Sequence, residues 1–196
     1  AFGSSPVAYT KGVDAVYTYR HDPQSIMSDG PKTTVASNVG TNDSSIKIQS
    51  NYTKFAVGDL IAIYSGTTKI EIAQITATPG LVGTDQLLYF TTNSNYPNGG
   101  RGSVSNKVEG TVAQAWNIGA DVVKLNKYAS TTTLLHDIPN TRVARAAAIK
   151  ARSPNTSETR LEIQLANADL IQPKLDYPQY VRIGEEWFIP DSVDGG

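Results

Sequence analysis

The sequence predicts an all-β protein, with a small β-barrel or sandwich module, an extended N-terminal arm and a partial second β module. Apolar residues alternate with polar ones over short runs, which is the period of a strand. Gly-rich turns separate these runs at intervals of roughly ten residues, a spacing typical of small barrels and sandwiches. Charged residues make up only 18% of the chain. Long runs of Glu, Lys, Ala and Leu, the usual material of helices, are nearly absent.

The clearest strands are predicted between residues 46 and 75. The alternating apolar pairs are Ile46 with Ile48, Leu60 with Ala62, and Ile70 with Ile72. We therefore expect strands with one buried and one wet face. The β-branched core layer is expected to consist of Ile61, Ile63, Ile70, Ile72 and Ile75.

Two glycines are predicted to form sharp bends. Gly58 can take a positive φ, and Asp59 after it can bond nearby backbone donors. Gly184 and Glu185 are expected to form an equivalent bend, because residues 180–189 repeat the apolar pattern of residues 55–63. Residues 160–164 likewise echo residues 46–49. The second copy is shorter than the first, so we expect it to be completed either by residues 126–157 or by another chain.

Three regions follow from these patterns: an extended N-terminal segment (1–40), a central β-barrel-like module (41–125) and a C-terminal β region with a partial repeat (126–196). Within the central module we expect a further strand at residues 87–92 and a long loop at 93–102, where Asn, Pro and Gly are concentrated. Residues 141–152 fit either a helix capped by Asn140 or one arm of a hairpin, and the hairpin is favoured.

The N-terminal segment contains a predicted strand at residues 13–19, with Val13, Ala15, Tyr17 and Tyr19 on one side. It is either an ordinary edge strand with loops or an arm that orders on a neighbouring subunit. The aromatic residues that such an arm offers for assembly contacts are Phe2, Tyr9, Tyr17 and Tyr19. A basic cluster of Arg142, Arg145, Lys150 and Arg152 is a solvated face, a docking site for an acidic partner surface or a contact with nucleic acid.

A longer pattern runs through the central module. Its members are Phe55, Val57, Gly58, Asp59, Ile61, Ile63, Glu71, Arg101, Gly102, Gly110, Thr111, Trp116, Gly119, Ala120 and Val122. This pattern resembles a β-barrel repeat of structural proteins from tailed bacteriophages, including those of cyanobacteria. Residues 180–186 resemble another part of the same repeat, and together the matches cover about half the chain.

The resemblance implies assembly and not catalysis. It implies a non-enzymatic structural subunit of a tailed-phage virion, placed in the neck, tail or baseplate. An alternative is a capsid cement or decoration protein on the head exterior. In either place the partners are other virion proteins and further copies of the chain in a symmetric assembly.

No catalytic, cofactor or metal site is expected. His21 and His136 each precede an Asp, but no G-x-S-x-G nucleophile elbow occurs, and adjacent residues on a strand point to opposite faces. The chain has no Cys, which excludes thiolate ligands and thiol nucleophiles. An oxygen-ligand Ca²⁺ site in the loop at 38–43 is the alternative considered.

Composition also limits the partners. The formal net charge of −1 argues against a general nucleic-acid binder, which needs a basic surface. No apolar run reaches the roughly 20 residues of a membrane span, and no signal peptide is visible at the start of the sequence. A remaining hypothesis is a carbohydrate- or receptor-binding β module, with stacking surfaces at Tyr52, Tyr64, Tyr89, Tyr96, Trp116 and Trp187.

Overall fold

The computed structural model describes residues 8–10, 12–13, 15–21, 33–49, 55–66, 69–127, 132–133 and 179–188. Throughout these residues the chain is all-β and contains no helix, which confirms the predicted fold class. The strands are β1 (Ala15–His21), β2 (Thr33–Thr34), β3 (Ser45–Ile48), β4 (Leu60–Ser65), β5 (Lys69–Gln74), β6 (Ala77–Val82), β7 (Asp85–Tyr89), β8 (Asp121–Lys127), β9 (Thr132–Thr133), β10 (Gln179–Ile183) and β11 (Glu186–Phe188). This part of the protein therefore has no helix that could cross a membrane.

The strands belong to two compact units. The central unit spans Arg20–Asn126, and the terminal unit takes Gly3–Tyr19 together with Lys127–Gly196. In the central unit one sheet has the order β8-β4-β5, with β2 also paired to β8, and a second sheet has the order β3-β7-β6. The sequence prediction placed the first boundary later, at residue 41.

Backbone hydrogen bonds connect the two sheets of the central unit at two corners. At the first corner β2 pairs with β8, and the next residue, Val35, bridges to Ile48 of β3. At the second corner Gly100 accepts a hydrogen bond from Gln74 of β5 and donates one to Phe90, directly after β7. The central unit is therefore a sandwich-like module whose two sheets are joined on both sides.

The apolar core of the central unit draws on both sheets. Its buried members are Val35, Val39, Ile46, Ile48, Phe55, Ile61, Ile63, Ala73, Ile75, Leu88, Phe90, Trp116, Ala120 and Val122. β-Branched residues dominate this set, as expected for side chains that pack against a pleated surface. The core therefore lies between the faces of the two sheets.

β4 and β5 are buried on both faces, so the predicted wet face is wrong for these two strands. The buried residues on the core side are Ile61, Ile63 and Ala73, and those on the other side are Ala62, Ile70 and Ile72. The predicted single layer of isoleucines is thus divided between two faces. The cause is the register, which places Ile63 opposite Glu71. A carboxylate therefore lies on the core face of β5.

The bend before β4 is stabilised as its residues suggest. Gly58 has a φ of 91°, which lies in the left-handed region. The Asp59 carboxylate accepts a hydrogen bond from the backbone N–H of Ala56 at 2.7 Å and pairs with Lys124 at 2.8 Å. The bend thereby fixes the direction in which the chain enters β4.

The second bend differs from the first in its surroundings. Gly184 has a φ of 56° and forms, with Glu185, the two-residue turn between β10 and β11. Glycine at the first position of such a loop is typical of a type II′ hairpin turn. The residues before Gly184 form a strand, whereas those directly before Gly58 do not. The two sequence copies therefore differ in local structure.

In the terminal unit, Tyr19 packs on Trp187, with 4.5 Å between the ring centroids, and both side chains are buried. The sheet order here is β11-β10-β1, and β9 also pairs with β1. β1 places Ala15, Tyr17 and Tyr19 on one side as predicted, but it begins at Ala15 and not at Val13. Val13 is 75% exposed, whereas Val16 and Tyr19, which face opposite sides of a strand, are both buried.

β6 is a strand that the sequence did not predict. It contains Pro79 and Gly80, which interrupt the usual strand pattern, and a register shift lies between Ala77 and Gly80. The predictions for residues 141–152 and 160–164 lie outside the described residues, as does most of the interval 126–157.

Candidate functional site

The most concentrated polar arrangement in the described residues is a buried ion pair in the central unit. Arg101 Nε lies 2.7 Å from Glu71 Oε1, and Arg101 Nη2 lies 2.9 Å from Glu71 Oε2. The Glu71 side chain is 0% exposed and that of Arg101 is 5% exposed. This is the bidentate geometry in which a planar guanidinium matches a carboxylate.

Every N–H of the Arg101 guanidinium has an acceptor. Besides its two bonds to Glu71, Nη1 donates to the carbonyls of Gly40 at 2.7 Å and Asp43 at 3.0 Å. Nη2 also donates to the carbonyl of Gln114 at 2.7 Å. A guanidinium carries five N–H donors, and here all of them are used.

The Glu71 carboxylate is equally well satisfied. Its Oε2 accepts hydrogen bonds from the backbone N–H of Gln114 at 2.8 Å and from the indole Nε1–H of Trp116 at 2.7 Å. We call Glu71, Arg101, Gln114 and Trp116, with the Gly40 and Asp43 carbonyls, the Glu71 network. It joins β5 to two loops that are distant in sequence.

The chemical consequence is that the Glu71 network is not arranged for catalysis. A general base needs a free lone pair within reach of a substrate proton, and a nucleophile needs access to a reacting atom. Both charged groups here are shielded from solvent and saturated by partners within the fold. Such a network specifies which loop packs against which strand.

Residues 100–116, which we call the strap, run along the outer edge of β5. Gly100 accepts the backbone N–H of Gln74 at 2.7 Å, and Arg101 pairs with Ala73 as an isolated bridge. The Thr111 hydroxyl accepts the backbone N–H of Ile72 at 2.8 Å and lies 3.2 Å from the Ile72 carbonyl. The strap thus takes the place of a neighbouring strand.

Two glycines allow this close approach. A Cβ atom at Gly100 would lie 1.8 Å from the carbonyl oxygen of Gln74, and one at Gly102 would lie 2.1 Å from that of Thr111. Both neighbours are backbone atoms, so a side chain at either position would displace the strap. The pattern residues Arg101-Gly102 and Gly110-Thr111 therefore have a packing role.

Lys69 covers the outer side of the Glu71 network. Its ammonium lies 4.3 Å from the centroid of the Trp116 ring and donates a hydrogen bond to the Ala115 carbonyl. A cation over the face of an indole is favourable. This contact fixes the end of the strap to the first residue of β5.

Of the residues predicted to make assembly contacts, the structure describes Tyr9, Tyr17 and Tyr19. Tyr9 and Tyr19 are buried in the terminal unit, so their rings are not displayed for contact with another subunit, which corrects that expectation. Tyr17 is half-buried between Lys127 and Arg182, at 4.7 and 4.4 Å from its ring centroid. Phe2, Arg142, Arg145 and Arg152 lie outside the described residues.

The tryptophans are not available as stacking surfaces for sugars. Trp116 is 2% exposed and Trp187 is 0% exposed. This corrects the expectation that the two tryptophans offer stacking surfaces to a carbohydrate. Tyr64, Tyr89 and Tyr96 are partly exposed, and Tyr52 lies outside the described residues.

An open polar cleft of about 410 Å³ lies beside the loop at 38–43. Its lining residues are Ser37, Asn38, Val39, Asn42, Asp43, Ser44, Ser45, Lys47 and Leu87. The Asp43 carboxylate accepts the backbone N–H of Gly40 at 2.7 Å, which is a turn contact. The part of the chain that the structure describes contains no group of three or more His, Cys, Asp or Glu residues arranged to hold a metal ion.

Neither of the two His-Asp pairs in the sequence lies entirely within the described residues. His21 is the last residue of β1, while Asp22, His136 and Asp137 lie outside the described residues.

No protein-family model, curated protein or solved structure matches this chain.

Proposed function

We propose that this chain is a non-enzymatic structural subunit of a tailed-phage virion, located in the neck, tail or baseplate. One observation supports the proposal above others. Glu71, Arg101 and Trp116, which belong to the sequence pattern that resembles the phage β-barrel repeat, meet in a single buried network. A pattern whose members are in contact is better explained by one inherited structural unit than by scattered coincidences.

The chemistry of the network supports a scaffold role. Its groups are saturated by partners within the fold and enclosed, so they hold loops in place and leave nothing to react with a substrate. Virion proteins work by repetition, in which a rigid module makes many weak contacts that add up through symmetry. The proposed partners are accordingly other virion proteins and further copies of this chain.

The direct experiment is quantitative mass spectrometry on purified particles of the phage that encodes the chain. A neck, tail or baseplate subunit should be present at on the order of six to twelve copies per particle or a small multiple, as ring symmetry requires. Hundreds of copies would favour the capsid cement or decoration alternative instead. Absence of the chain from purified particles would overturn the virion proposal.

Binding measurements provide an independent test. A structural subunit should show no saturable binding on a glycan array or to whole host cells as an isolated protein. Saturable binding by a monomeric protein would support the carbohydrate- or receptor-binding hypothesis and contradict the scaffold role.

A further inference from the structure

Each sheet of the central unit ends in a strand that has no further strand beside it within the described residues. β5 is the terminal strand of one sheet and β6 is the terminal strand of the other. An exposed edge presents unpaired N–H and C=O groups, which act as a template for a strand from another molecule. Between copies of one chain, such edges lead to uncontrolled polymerisation.

The strap satisfies outward-facing groups of β5 with one side-chain hydroxyl and one backbone carbonyl. Successive outward N–H groups on a strand belong to alternate residues. On β5 two of these have acceptors in the strap: the N–H of Ile72 is bound by the Thr111 hydroxyl at 2.8 Å, and that of Gln74 by the Gly100 carbonyl at 2.7 Å. The hydroxyl also reaches the Ile72 carbonyl. Its single proton is within reach of that carbonyl, at 3.2 Å, and of the Val108 carbonyl in the strap, at 3.0 Å.

The Glu71 network holds the strap in this position. Arg101 is a strap residue, and its guanidinium is fixed by Glu71 within the core. Trp116, at the far end of the strap, donates to the same carboxylate. The two ends of the strap are thereby attached to one buried group of β5, so the edge cannot be uncovered without breaking buried charged hydrogen bonds.

We infer that the strap is an intramolecular edge cap that prevents β5 from pairing with a strand of a second copy of this chain. β6 carries a different safeguard, because Pro79 lacks a backbone N–H and the neighbouring register shift distorts the strand. Association of the central unit on the β5 side must therefore use side-chain surfaces and not strand addition. The inference concerns any association of the chain and does not depend on the virion role.

Thr111→Val in the 196-residue chain tests the cap, since it keeps the shape of the side chain and removes the hydroxyl. We expect faster amide exchange at Ile72 and concentration-dependent self-association in sedimentation velocity, with a dimer or larger species where the unaltered protein shows none. Thr111→Ser retains the hydroxyl and should behave as the unaltered protein does. Val104→Thr is the matched control, since Val104 lies in the strap and is 87% exposed.

Gly102→Ala is a second route to the same state, because its new Cβ would displace the strap at the Thr111 carbonyl. If either variant stays folded by its native tryptophan emission, exchanges faster at Ile72 and still sediments as the unaltered protein does, the inference is overturned. A labelled peptide with the sequence of residues 69–75 provides a test that needs no variant. The unaltered protein should not bind this peptide, and saturable binding would equally overturn the inference.

Discussion

Glu71 and Arg101 are thirty residues apart in sequence and meet in a bidentate ion pair that solvent hardly reaches. A buried ion pair is not a reliable source of net stability, since the cost of removing both charges from water offsets much of their attraction. The ion pair instead makes the fold sensitive to the loss of either partner. The remaining charge is then buried without compensation, so only one arrangement of strap and sheet is tolerated.

Glu71→Gln should therefore destabilise the protein strongly. The substitution preserves size but leaves the Arg101 guanidinium without its counter-charge, so we expect a loss of about 3–5 kcal/mol in the free energy of unfolding. Urea denaturation followed by tryptophan fluorescence measures this. Asp85→Asn, which removes the half-exposed pair with Lys47, should cost less than about 1 kcal/mol. Equal losses in the two variants would contradict the role assigned to the buried pair.

Arg101→Lys should not act as a conservative change. An ammonium has three donors on a flexible stem and cannot serve the Gly40, Asp43 and Gln114 carbonyls together with Glu71. We expect faster amide exchange in residues 100–116 together with lower stability. Lys124→Arg, at the partly exposed pair with Asp59, is the control and should leave exchange in the strap unchanged. Unaltered strap exchange in the Arg101 variant would show that the five-donor geometry is dispensable.

Gly100→Ala should be more harmful than Gly119→Ala. The first places a Cβ at 1.8 Å from a backbone oxygen, and the expected loss is at least about 3 kcal/mol. At Gly119 the φ of 91° strains a side chain, but nothing lies within 4 Å, so we expect about 1–2 kcal/mol. Thermal unfolding of both variants gives the comparison. The reverse order would mean that the strap moves aside easily.

Trp116→Phe isolates the contribution of the indole donor. The ring remains apolar, but Glu71 loses one of its hydrogen bonds within the core, which should cost about 1–3 kcal/mol. Lys69→Met removes the cation above the same ring together with its hydrogen bond to the Ala115 carbonyl, and should cost about 0.5–1 kcal/mol. Equilibrium unfolding followed by far-ultraviolet circular dichroism suits both variants, because it does not depend on tryptophan. A larger loss of unfolding free energy in the Lys69 variant than in the Trp116 variant would mean that the contacts of Lys69 with the indole face and the Ala115 carbonyl contribute more than the indole N–H.

The sequence by itself determined the all-β class, most of the central strands and the positions of the sharp bends. These features depend on local chemistry: alternation of apolar residues produces a strand, and Gly58 and Gly184 permit the positive φ that their bends require. β6 escaped prediction because Pro79 and Gly80 interrupt the local pattern, while pairing with β7 stabilises the strand.

Only the tertiary structure decided that Glu71 faces the core and that the strap covers β5. The side on which Glu71 lies follows from the β4–β5 register, and a shift of one residue would have reversed it. Its partners Arg101 and Trp116 are brought to it by backbone pairing across long sequence separations. Local periodicity contains no information about such pairings. The sequence pattern included Glu71, Arg101 and Trp116 but not their contact. It did not include the remaining members of the network, which are Gly40, Asp43 and Gln114.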